Sequence, residues 1–203
     1  MIVYITRHGQ VDGAGDHPVG YKPISPLGRR QAERLGERLR SLGFRGPVFV
    51  SPYHRCLETA DIICRVTQTT FIPEPHLGEI AGTWIHEFAG YRAEEIAANF
   101  PRCASGVSMP WPWWPREMER LEDVVARLAP FVKRLRLRSD DAVLLVGHGA
   151  SAGAAAYLLG GVAIDHYNAT LTAIELPSGR VLLANDTEHL GPGEVTSNRR
   201  VVA

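Results

Sequence analysis

Cysteine is scarce in this chain, and what there is forms no pattern. Cys56, Cys64 and Cys103 are odd in number and lack any C-x-x-C spacing, which argues against a disulfide framework or a cysteine-built zinc site. A reducing compartment fits that usage. Lysine is confined to Lys22 and Lys133, and the arginines that make up the other basic residues are spread along the chain beside acids. The 22 basic residues balance 22 acidic ones, so a formal net charge of zero gives no pull toward nucleic acid or an anionic membrane. The N-terminus has no basic segment leading into a long apolar run, so no secretory leader is expected and the chain reads as cytoplasmic. There is no H-E-x-x-H pair, no clustered Cys/His ligand set and no G-x-x-x-x-G-K-S/T loop. The expectation is therefore no metal, no cofactor and no P-loop nucleotide site.

Long hydrophobic runs are also few. One stretch, "AVLLVGHGASAGAAAYLLGGVAI" at 142–164, is long enough to cross a bilayer, but Gly147-His148-Gly149 breaks it. It reads as a buried strand, a turn and a helix of small residues, with no membrane partner implied.

What the chain does have suits one domain spanning 1–203: hydrophobic content of 45% and charged content of 22%. Strand-like runs fall at 1–5, 47–51, 69–73, 142–147, 171–176 and 180–184. Helical patterns lie between them. "SPLGRRQAERLGERLRSLG" opens with Ser25 as N-cap and Pro26 at the first helical position, and ends at Gly43. Others are expected from near Tyr53 to about Thr67, over roughly 92–99, and from Glu117 to Arg138, where Pro130 should kink or loosen the helix. Alternation of this kind predicts an α/β fold: a three-layer sandwich, with a mostly parallel central sheet and helices on both faces. "ELPSGRV" adds an antiparallel C-terminal hairpin. The polar tail from Gly191 onward reads as loosely ordered.

Three strand ends carry chemistry. "VYITRHGQV" delivers Arg7 and His8, "SPYHRCLETA" puts Arg55 in the first turn of a helix, and "VGHGAS" sets His148 between two glycines. Ligands of open parallel sheets bind beyond the carboxyl ends of the strands, where these segments can meet. Two arginines, two histidines and a helix N-terminus suit a doubly charged phosphoryl group. Taken singly, each has a plainer reading: Arg7 as a surface ion-pair partner, Arg55 pairing with Glu58 one turn on, His148 as a satisfied core histidine.

"TRHGQ", "SPLGRRQA", "SPYHRCLETA" and "VGHGA", in that order, resemble the histidine phosphatase superfamily, also called phosphoglycerate-mutase-like, over nearly the whole chain. The resemblance implies that His8 is the nucleophile that becomes phosphorylated, with Arg7, Arg55 and His148 holding the phosphoryl oxygens. Gln10 matches the family pattern and is a further phosphate donor. Val11 stands where many relatives have a hydroxyl residue, no Asn follows, and the contacts of Asp12, His17 and Lys22 stay open. Glu79, in "HLGEIAGTW", matches the family's acid ahead of glycine and tryptophan and would be the general acid and base. Glu58 reads as a helix-surface residue and Glu87 as part of a variable loop.

The missing Arg-rich insertion and the C-terminal "NATLTAIELPSGRVLLANDTEHL" resemble the small phosphatase branch. The expected activity is hydrolysis of small phosphate monoesters without a metal, the partner being a small phosphorylated substrate. Mutase-type phosphoryl transfer and a non-catalytic phospho-ligand module are the alternatives. A lid-like insertion is expected over about 80–120. Its Trp84, Trp111, Trp113 and Trp114 read either as an apolar specificity wall or as a loop packed on the core or in a homodimer contact.

Overall fold

The β-branched and aromatic residues after Met1 form the strand they favour, β1 (Ile2–Arg7). In the computed structural model, which describes residues 1–11, 13 and 17–197, it lies inside a six-stranded sheet. The other strands are β2 (Val48–Val50), β3 (Phe71–Pro73), β4 (Ala142–Gly147), β5 (Leu171–Glu175) and β6 (Arg180–Asp186), in spatial order β3-β2-β4-β1-β5-β6. The β1–β4, β2–β4 and β2–β3 pairs are parallel, whereas β1–β5 and β5–β6 are antiparallel. All six strands and the closing hairpin stand where the apolar runs place them.

The helices are α1 (Pro26–Ser41), α2 (His54–Thr67), α3 (Ala93–Asn99), α4 (Leu121–Leu135) and α5 (Gly149–Gly160). Side chains alternate across a strand, and this alternation separates two cores. Tyr4, Val48, Val50, Leu144 and Val146 meet Leu35 and Leu39 of α1 and Leu57, Ala60 and Ile63 of α2. Val3, Ile5, Phe49, Val143 and Leu145 meet Leu128 and Phe131 of α4 and Ala152, Ala155 and Leu159 of α5 on the other face. Burying each large side chain contributes about 1.5–3 kcal/mol. The result is the three-layer sandwich. The stretch at 142–164 divides into β4 and α5, and no helix among the described residues is long and apolar enough to cross a membrane.

Segment 80–120 contributes Ala81, Ile85, Phe88, Ile96, Phe100 and Trp113 to the α1/α2-side core. Two expectations need correction. Helix α4 begins at Leu121, not Glu117, because the backbone N–H of Glu119 donates to Ala81 O at 2.8 Å instead of entering a helix. It then continues through Pro130, which supplies no N–H. The tail expected to be loose from Gly191 onward is tied down over 191–197, while 198–203 lie outside the described residues: Gln31 Nε2 donates to Glu194 O at 2.6 Å and to Thr196 Oγ1 at 3.0 Å, and Arg34 pairs with Glu194 at 3.0 Å.

Candidate active site

Register decides which residues leave the sheet together. Arg7 is paired with Gly147 and Val50 with Val146, so β1, β2 and β4 end at one level. His8 and His148 follow immediately. The His8 N–H donates to Gly147 O at 3.0 Å, and the two imidazoles lie edge to face with centroids 5.3 Å apart. Room for this turn comes from a close backbone approach: a Cβ on Gly9 would sit 2.5 Å from Gly28 O, at the start of α1.

His8 is held from several directions. Asn168 Nδ2 donates to its carbonyl at 2.9 Å, and Asn168 Oδ1 accepts from Thr196 Oγ1 at 3.1 Å. The Gly9 N–H donates to Thr59 Oγ1 at 3.1 Å. The His8 Nδ1 lies 2.7 Å from Gly9 O, which can only accept, so Nδ1 carries the proton and Nε2 keeps its lone pair. Arg55 Nε donates to that lone pair at 3.2 Å.

Arg55 stands in the first turn of α2 and is 7% exposed. Its Nη1 donates to Val19 O at 3.0 Å, and its Nη2 lies 3.2 Å from His148 Nδ1 and 3.8 Å from Glu79 Oε2. Arg7 Nη1 donates to His166 O at 3.3 Å, while its buried Nε has no hydrogen-bond partner among the described residues. A buried guanidinium N–H without a partner is what an incoming oxyanion satisfies. His148 caps α5; its Nε2 meets Ser51 Oγ at 2.8 Å and its Nδ1 stands 3.5 Å from Glu79 Oε2. Two helix N-termini, those of α2 and α5, therefore open at the place where Arg7, His8, Arg55 and His148 gather.

Charge and burial act together on the imidazoles. Burial, then Arg55 and Arg7, push the His8 pKa well below the ordinary histidine value. Burial and Arg55 do the same to His148, with smaller contributions from His8 and Arg7. Both shifts favour the neutral ring and, at His8, an unprotonated Nε2.

The histidine phosphatase superfamily (branch 1) family model matches residues 3–186. The chain belongs to that superfamily. A broad-specificity phosphatase of Saccharomyces cerevisiae is 27% identical over 232 residues, covering 98% of this chain and 92% of the relative. The YhfR structure from Bacillus stearothermophilus is 26% identical with a TM-score of 0.67, over 94% of this chain and 99% of that one. A mycobacterial glucosyl-3-phosphoglycerate phosphatase solved in complex with VO3 is 25% identical with a TM-score of 0.63, over 92% and 99%.

In this histidine phosphatase fold Arg7, His8, Arg55, Glu79 and His148 come together. Gln10 sits at the edge: its side-chain oxygen accepts from Ser25 Oγ at 2.9 Å and its N–H donates to Gln31 Oε1 at 2.8 Å. Asp12 lies outside the described residues, and His17 is exposed. Glu58 is corrected from surface to buried. It is 8% exposed, accepts from the Ile24 N–H at 2.9 Å and pairs with Arg29, so Arg55 is left to the histidines.

Tyr53 is the aromatic ring that meets the polar centre. Its ring lies 4.7 Å from that of His148 and 4.6 Å below the Arg55 guanidinium. The tryptophans stand behind or beyond it. Trp113 is buried, 5.4 Å from Tyr53, and donates Nε1 to Tyr91 O at 2.9 Å; Trp84 is 6.3 Å from Tyr53. Trp114 packs on Phe88 at 4.9 Å, and Trp111 lies under the Arg92 guanidinium at 4.3 Å. Tyr53, Ser51, Thr59 and Asn168 escaped the sequence reading. "NATLT" carried Asn168 in plain sight, but nothing local shows that it reaches His8.

Neutral buried histidines make stability depend on pH. Burial lowers the pKa of His8 and His148 and takes that of His166 to about 4. Above the unfolded value of about 6.5, folded and unfolded forms are both neutral and these groups add no pH dependence. Below it the unfolded chain takes up protons that the folded one refuses, so stability falls with pH. A histidine suppressed to this degree costs about 2 kcal/mol by pH 5. Urea unfolding at pH 7.5 and pH 5 should show at least that loss, and a flat profile would contradict neutral buried imidazoles.

Proposed function

We propose that this enzyme is a phosphatase that hydrolyses small phosphate monoesters through a phosphohistidine on His8. The carrying observation is the His8 Nε2 lone pair, kept unprotonated beside two guanidiniums, with the Glu79 carboxyl group 3.8 Å from Arg55 Nη2 and 3.5 Å from His148 Nδ1. The yeast relative named as a broad-specificity phosphatase and the mycobacterial phosphatase seen with VO3 support the reading.

In the first step Nε2 attacks phosphorus in line, forming the N–P bond as the ester P–O bond breaks. Arg7, Arg55 and His148 hold the equatorial oxygens, and the arginine forks match pairs of them. Protonated Glu79 gives its proton to the departing alkoxide. In the second step the Glu79 carboxylate takes a proton from water as that water attacks phosphorus. The N–P bond breaks, inorganic phosphate leaves, and Glu79 is again protonated. The protein's own cations carry the charge stabilisation, so no metal is required.

Proton donation matters most when the leaving oxygen is basic. In Glu79→Gln, assayed in excess EDTA, kcat/KM for glycerol phosphates should fall about 10²–10⁴-fold, the range of general acid catalysis. For p-nitrophenyl phosphate, whose leaving group needs no proton, kcat/KM should stay within about tenfold, while kcat falls because water attack loses its base. Equal losses in kcat/KM on both substrates would remove Glu79 from the acid role.

A further inference from the structure

Glu79 sits on a loop without regular structure of its own, yet its task requires a carboxyl placed to a fraction of an ångström. The loop is anchored by two residues that the chemistry above does not use. Arg127, in the middle of α4, sends Nε to Glu119 Oε1 at 2.7 Å and Nη2 to Glu119 Oε2 at 3.0 Å. The same guanidinium donates to three carbonyls on or just before the loop: Nη1 to His76 O at 2.7 Å, and Nη2 to Gly78 O at 3.3 Å and Glu79 O at 3.4 Å. Glu119 completes the hold from the other end. Its Oε2 accepts from the Ala81 N–H at 3.1 Å, and its own N–H donates to Ala81 O at 2.8 Å.

The pair is largely buried, with side chains 17% and 8% exposed. Buried ion pairs are poor sources of net stability, and apolar residues of similar volume would fill the space at least as well. What an apolar pair could not do is satisfy backbone groups on both sides of Glu79. Ser151, three residues after His148, adds a link at 2.9 Å from its Oγ to Leu77 O and accepts from the His148 N–H at 3.0 Å. The loop is thereby referenced to α4 and to the histidine beside which the carboxylate must stand.

We propose that Arg127 and Glu119 are positioning residues that fix the Glu79 carboxyl against His148 and Arg55, so that proton transfer depends on them although neither touches substrate. This inference rests on the acid–base role of Glu79 proposed above. Small displacements of a catalytic group cost large factors in rate, because proton transfer needs hydrogen-bond distance in the transition state.

The test compares leaving groups across Arg127→Met, Glu119→Gln and Glu79→Gln, with melting temperatures to establish that each protein is folded. For Arg127→Met, kcat/KM for glycerol phosphates should fall about 10–100-fold, while kcat/KM for p-nitrophenyl phosphate stays within about threefold. Glu119→Gln, isosteric and able to keep the Ala81 contact, should show a smaller loss with the same selectivity. In the Glu79→Gln background Arg127→Met should remove no further glycerol phosphate activity, because the group it positions is already gone. A structural role alone would lower both substrates together and add to Glu79→Gln. If Arg127→Met does not fold, Glu119→Gln decides by the same selectivity. Selective loss in Glu79→Gln beside an unselective or silent Arg127 or Glu119 variant overturns the clamp alone. Unselective loss in Glu79→Gln overturns the acid assignment, and the clamp with it.

Discussion

His8→Ala should lose phosphate release by on the order of 10⁴-fold or more and form no phosphoenzyme. The reason lies in the division of labour around the imidazole. Nε2 supplies the electron pair, and no neighbour can replace it. His148 has its Nε2 on Ser51 Oγ at 2.8 Å and its Nδ1 between Arg55 and Glu79. Arg7 and Arg55 are cations with no lone pair to offer. Acid-quenched and alkali-quenched samples with ³²P-labelled monoester would show the difference: wild type should carry acid-labile, alkali-stable label, and His8→Ala none. The same variant should still bind vanadate, since both arginines and His148 remain. Phosphate release within tenfold of wild type would sink the phosphohistidine mechanism.

Arg55→Met should be the next most damaging change. This one side chain touches His8 Nε2, His148 Nδ1 and Val19 O, and approaches Glu79 Oε2. Removing it strips charge stabilisation from the transferring group, an effect worth about 10²–10³-fold in kcat/KM. A second consequence follows from electrostatics. After burial, Arg55 is the largest influence lowering the pKa of both His8 and His148, so its loss lets both rise toward the ordinary value. Protonation of His8 destroys the nucleophile. The acid limb of kcat/KM should therefore move to higher pH in Arg55→Met, though not the whole way, because burial and Arg7 remain. Lysine should rescue poorly, having one ammonium where the site uses a fork reaching three partners. An Arg55→Met enzyme within tenfold of wild type, with an unmoved acid limb, would contradict both arguments.

Several elements were legible because their signals are local. Ser25 and Pro26 mark the start of α1, and Ser25 Oγ does accept the Gly28 N–H at 3.0 Å. The interruption at Gly147-His148-Gly149 separates β4 from α5. Arg7, His8, Arg55 and His148 were named from motifs at strand ends, and parallel register brings such ends level. Glu58 misled because its helix position looks solvated, while the Ile24 backbone that covers it lies 34 residues away in sequence. The Trp-rich segment carried composition but not depth: Trp113 is buried and Trp111 is 44% exposed within one short run.

The chain's own order of residues determined the alternation of strand and helix, the two-sided apolar faces and the identity of the groups at each strand end. Those properties follow from backbone periodicity and side-chain chemistry within a few residues. Only the tertiary structure decided how the groups are aimed. The Gly9 carbonyl sets the His8 tautomer, Asn168 and Thr196 hold its peptide, and Arg127 reaches loop carbonyls as far as 51 residues back. Every residue but proline offers the same backbone N–H and C=O, so hydrogen bonds to them leave no mark of residue type along the chain. They exist once packing has brought distant segments together, and they are what holds His8 and the loop of Glu79 in place.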